Sequence, residues 1–64
     1  MAQYEVIERA GISYESISDA VKTIVSDAHA EKPVSWFEVK EYRGRVTEDG
    51  KVEFQVAVLI GRKA

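Results

Sequence analysis

Apolar residues recur along this chain with two different periods, and the change from one to the other marks out the elements. From Tyr4 to Arg9 the residues alternate, Tyr4, Val6 and Glu8 on one side and Glu5, Ile7 and Arg9 on the other, which predicts a short first strand. Ala10-Gly11-Ile12 reads as a turn, and Ser13 has the chemistry of a helix N-cap, with Glu15 in the first turn. Ile17, Ala20, Val21, Ile24, Val25 and Ala28 then fall at i, i+3, i+4, i+7, i+8 and i+11. That spacing is one apolar stripe on a helix over about Tyr14 to Ala30. Pro33 blocks its continuation.

Trp36 to Val46 is rich in aromatic and branched residues and predicts a second strand, with Gly44 as a bend or bulge. Asp49-Gly50 signals a tight hairpin, and Lys51 to Gly61 forms the third strand, antiparallel to the second. The order β-α-β-β predicts an α+β fold, a three-stranded antiparallel sheet wrapped on one helix as a single domain over residues 1–64. In the third strand Val52, Phe54, Val56, Val58 and Ile60 share the face assigned to the helix, and Gln55, Ala57 and Leu59 share the other. In the second strand Phe37 and Val39 lie on one face, and Trp36, Tyr42 and Val46 on the other. One helix covers only one face of such a sheet. The apolar residues left over, including the single Trp, call for another subunit or a ligand.

Size sharpens that expectation. A chain of 7.2 kDa buries about 6,300 Å² on folding, roughly 60% of it apolar, which at ~25 cal/mol/Å² is worth about 95 kcal/mol. Ordering 64 residues costs about the same, so the fold on its own is marginal. With no cysteine, neither disulfides nor a thiolate metal site can supply the difference, and of a metal, exceptional packing or association the last is the leading candidate. The lack of cysteine, of a signal-like start and of any long apolar run fits a cytoplasmic protein that does not cross a membrane. Nine basic and eleven acidic residues give a net charge of −2 without a charged block, which argues against nucleic acid or anionic membrane as partner.

The run Trp36-Phe37-Glu38-Val39-Lys40-Glu41-Tyr42-Arg43-Gly44, with Phe54-Gln55-Val56 on its hairpin partner, resembles the dodecins. Gly11-Ile12-Ser13 resembles the turn those proteins place before their helix, and the likeness runs over nearly the whole chain. The resemblance implies a hollow homododecamer built from trimers. It also implies flavin ligands (FMN, riboflavin, FAD or lumichrome) held in stacked pairs between two tryptophans at two-fold axes. Such proteins act as flavin stores that quench the photochemistry of the bound ring, not as enzymes. Glu5 stands where relatives often carry a basic residue, and Gly61 runs straight into Arg62-Lys63-Ala64 where relatives continue with a longer apolar segment. Which flavin is bound therefore stays open.

The residues give the same reading a chemical basis. The flat indole of Trp36 is a stacking surface worth roughly 1–3 kcal/mol per aromatic heterocycle, and a two-fold axis would double it into a clamp. Gln55, on the same face by alternation, offers the donor and acceptor that the pyrimidine edge of a flavin requires. Read from the residues alone, Gln55 is equally a solvent-facing strand residue. Arg43 holds the family's arginine position and would meet a ribityl or phosphate group, or a neighbouring subunit's carboxylate. Strict alternation places Arg43 on the Phe37 side, so its access to the site requires a bulge near Gly44 or a position past the helix edge. Arg45 reads as an exposed strand residue.

Other chemistries find less support. His29, alone near the helix end, reads as a capping or solvated residue, because Asp27 and Glu31 at i±2 point to other sides of the helix. No serine has a partnered His and Asp, and no glycine loop is arranged to cradle phosphate. The alternative is a flavin-free shell that binds divalent cations or coenzyme A, or a purely structural interaction module.

Overall fold

The apolar stripe forms α1 (Ile17–Glu31), which follows β1 (Tyr4–Ser13) and precedes β2 (Val34–Val46) and β3 (Val52–Lys63). This computed structural model describes residues 3–63; Met1, Ala2 and Ala64 of the expected domain lie outside them. β3 is central, with β1 and β2 both antiparallel to it, so α1 is the crossover between two edge strands that run in the same direction. Ala20, Val21, Ile24 and Ala28 pack on Val56, Val58 and Ile60, and the last two have no exposed surface. This is the core expected from the two periodicities.

The helix starts later than its first serine suggests. Ser16 is the N-cap: its backbone is extended, and its hydroxyl accepts the Asp19 N–H at 2.9 Å. Ser13 instead shapes the approach to the helix, accepting the Glu15 N–H at 2.9 Å and donating to the Asp19 carboxylate at 2.7 Å. Ala10-Gly11-Ile12 is not a turn. It continues β1, with Gly11 opposite Val56 and Ile12 opposite Gln55. Gly11 is there because a Cβ would lie 2.8 Å from the Ile24 Cδ1, so the glycine marks a close approach of helix to sheet. At the other end the Lys32 N–H closes onto the Ala28 carbonyl at 3.1 Å. Past Pro33, the Val34 N–H donates to His29 Nδ1 at 2.9 Å, which makes His29 a cap on the chain reversal.

The β2–β3 hairpin closes as expected from Asp49-Gly50. The Gly50 N–H donates to the Thr47 carbonyl at 2.9 Å and the Thr47 N–H to the Lys51 carbonyl at 2.8 Å. Gly50 sits at φ +85°, a conformation open mainly to glycine.

The sheet departs from simple alternation in β2, where the register shifts between Val34 and Trp36 and again between Val39 and Glu41. The second shift inserts Lys40 as an extra residue and exchanges the faces of everything beyond it. Tyr42 and Val46, expected beside Trp36, therefore lie opposite Val56 and Val52 on the helix side. Gly44 is not the bulge. It lies opposite Phe54, and a Cβ there would stand 2.7 Å from the Glu53 carbonyl oxygen.

α1 lies over β3 and β1 more than over β2. Phe37, Val39, Tyr42 and Val46 are consequently exposed on the helix side, where Phe37 and Val39 border a groove of 580 Å³ beside Ile17, Val21 and Val25. Tyr4, Val6, Ile12 and Trp36 remain exposed on the outer face. The accessible area of 4619 Å² exceeds the about 4,100 Å² typical of a compact fold of this mass. The longest dimension of 50 Å against 19 and 13 Å shows why: this is an open sheet carrying one helix. The helix is not long or apolar enough to cross a membrane.

Candidate functional site

The outer face, away from α1, collects every residue the sequence marks for ligand chemistry. Because of the first register shift Trp36 lies opposite Gly61. Its indole rests over the Gly61 α-carbon so closely that a Cβ there would collide with the ring. The glycine is buried beneath it, while Trp36 itself stays 39% exposed. A bare backbone thus forms a seat on which an aromatic ring lies and still presents surface outward.

Gln55 and Arg43 form the second part of the site. The Lys40 bulge, not Gly44, carries Arg43 to the outer face, where it sits directly opposite Gln55. The Arg43 Nε donates to Gln55 Oε1 at 3.2 Å. Beside them is a notch of 90 Å³ bordered by Ala10, Glu41 and Ala57. Within one chain the two parts stand apart: Gly61 is six residues along β3 from Gln55, roughly 20 Å at about 3.3 Å per residue. Arg43 and Gln55 are brought together; Trp36 is not.

Glu53 is the residue the sequence reading missed. It is 4% exposed and lies two residues before Gln55, on the same face. Its carboxylate accepts from Arg45 Nε at 3.0 Å, Arg45 Nη2 at 3.3 Å, the Tyr14 hydroxyl at 3.3 Å and Gln55 Nε2 at 2.8 Å. Arg45, and next Gln55, hold its carboxyl below the ordinary 4.5, and Glu53 in turn raises Arg45. Arg45 is the exposed strand residue expected, and it is also the counter-ion of this buried acid. The available signal was positional: counted back from the Asp49-Gly50 hairpin, Arg45 is the register partner of Glu53. Gly61 was read only as a strand end, because nothing in a sequence shows what lies on a glycine.

At the far end of the sheet Arg62, 8% exposed, donates to Glu5 at 2.6 Å and to Glu31 at 3.5 Å, and Glu31 also receives Arg9 at 2.7 Å. Glu5 faces Arg62 across the β1–β3 pair, so its unusual charge is matched within the fold. Among the described residues no group of three His, Cys, Asp or Glu side chains is placed to hold a metal ion.

Comparison with known proteins agrees with this architecture. The sequence profile of the Dodecin family matches residues 4–63. The dodecin of Thermus thermophilus is 36% identical over 59 residues, covering 91% of this chain and 86% of that protein. A crystal structure of a variant of the T. thermophilus dodecin superposes with a TM-score of 0.87 at 32% identity, covering 100% of this chain and 96% of the other. The calcium dodecin of Mycobacterium tuberculosis, described as calcium-chelating, has a TM-score of 0.87 at 24% identity over 97% of this chain and 90% of its own, a likeness of fold. The chain belongs to the dodecin family, whose members are small dodecameric binding proteins rather than enzymes.

Proposed function

We propose that this protein stores flavin: it assembles into a homododecamer and holds isoalloxazine rings stacked on Trp36, with Gln55 and Arg43 engaging their polar groups. The observation that carries the reading is the Trp36 indole, seated on Gly61 and open on a sheet face that the protein's own helix does not cover. A ring laid on that indole gains roughly 1–3 kcal/mol from stacking, and a second copy of Trp36 across a two-fold axis doubles the gain. Gln55 supplies an amide donor and acceptor for the pyrimidine edge, and Arg43 a cation for a ribityl or phosphate group.

The separation of Trp36 from Gln55 along β3 exceeds the length of a three-ring heterocycle. A ligand that meets both is therefore bracketed by two chains. Exposed apolar residues on both sheet faces supply surface for that association. A ring closed between indoles exchanges poorly with substrates, which suits sequestration and quenching rather than turnover, in the cytoplasm.

The test is the native mass of the purified protein together with identification of any chromophore released on denaturation. Twelve chains and a released flavin are expected. A colourless, metal-loaded or coenzyme A-loaded particle would replace flavin storage with the flavin-free alternative.

A further inference from the structure

Gln55 is a symmetric-looking amide whose two ends have opposite chemistry, and its environment decides which end faces which way. Glu53, buried two residues away, is an ionised carboxylate bound to Arg45 and can only accept hydrogen bonds. It accepts from Gln55 Nε2 at 2.8 Å, and the Arg43 Nε, which can only donate, lies 3.2 Å from Gln55 Oε1. Reversing the amide would set its oxygen against the carboxylate and its NH₂ against the guanidinium, losing both bonds. With the amide so held, one N–H and one oxygen lone pair remain for a ligand.

We infer that Glu53 is a positioning residue: by fixing the direction of the Gln55 amide it makes the site selective for rings with an unsubstituted imide, an N–H beside a carbonyl. The inference rests on the flavin reading and deepens it. The free lone pair of Gln55 receives the imide N–H, and its free N–H meets the adjacent carbonyl. Substitution at the imide nitrogen removes the donor and places a methyl group against the amide oxygen. Replacing Glu53 by glutamine removes the part of the directional constraint that the carboxylate supplies, since a second amide can donate or accept, and leaves only the longer bond from Arg43 at 3.2 Å.

The experiment compares riboflavin with N3-methylriboflavin by fluorescence titration of the full chain. The unmodified protein should prefer riboflavin by about tenfold, the size of one hydrogen bond to a charged or well-held partner. In Glu53→Gln the preference should fall to about twofold, with riboflavin still quenched through Trp36. An unchanged ratio in that variant overturns the inference while leaving flavin storage standing. Failure of the unmodified protein to bind either ring overturns the storage reading itself. A second measurement needs no variant: one side-chain amide proton of Gln55 should resonate clearly downfield of its partner, as expected for a bond to a carboxylate. Two amide protons at free-glutamine positions would contradict a fixed direction even in protein that binds no ring.

Discussion

The Trp36 indole lies over the α-carbon of Gly61, its register partner on β3, in the space that any side chain at position 61 would fill. Gly61 does not sit at positive φ, so alanine is compatible with the backbone and strikes only the ring. Gly61→Ala should keep the fold and lift the indole, weakening riboflavin affinity by about thirtyfold, the middle of the range for one lost stacking contact. Circular dichroism unchanged from the native protein, with a displaced titration curve, is the expected pair of results.

The extra residue Lys40 is taken up by the bulge between Val39 and Glu41, so the pairs on either side stay in step. Deleting Lys40 should remove the bulge and leave Val39 and Glu41 as consecutive alternating residues, so that Val39 stays opposite Val58, Tyr42 opposite Val56 and Arg43 opposite Gln55. Arg45 also keeps buried Glu53, whose register is set by the hairpin, so the expected outcome is riboflavin quenching close to that of the native protein; loss of quenching would show that the bulge itself shapes the site. Lys40→Ala keeps the strand length and loses only an exposed ion pair to Glu8, 3.2 Å long, and should titrate close to the native protein.

Much of the fold was legible because each element is strongly periodic. The helical stripe, the Asp49-Gly50 hairpin and the Val56–Val58–Ile60 core follow from spacing alone. What was not legible came from contacts between elements. Gly11 looked like turn punctuation, yet it is a strand residue kept small by Ile24. Ser13 and Ser16 are equally good caps on paper, and the length of β3 decides between them by extending β1 through Ser13. Trp36 and Gln55 fell on their correct face by alternation. The need for a bulge to deliver Arg43 was readable, but its position at Lys40 was not, since a lysine carries no bulge signal.

The choice of cap can be tested directly. Ser16→Ala removes the acceptor for the Asp19 N–H and should cost about 1 kcal/mol in chemical denaturation. A loss of that size accompanied by no change in the β-sheet signal is expected; a neutral outcome would move the cap elsewhere.

Acid should loosen the sheet end where β1, β3 and α1 meet. Arg9 holds the Glu31 carboxyl at about 2, against an ordinary 4.5, and Arg62 chiefly lowers Glu5. Because the folded-state values are depressed, the stabilisation is complete above pH 4.5 and is lost as pH falls from there toward 2. Thermal unfolding midpoints should therefore decline through that window. Glu31→Gln should flatten the decline, and added salt should shrink it, since the carboxylate is solvent-exposed.

The central claim is that one tryptophan on an uncovered sheet face captures flavin, and riboflavin fluorescence titration of the native protein beside Trp36→Ala tests it most directly. Near-complete quenching at stoichiometric micromolar native protein, lost in a variant of unchanged native mass, is the expected result. Unquenched emission with the native protein, or equal quenching by the variant, would contradict it.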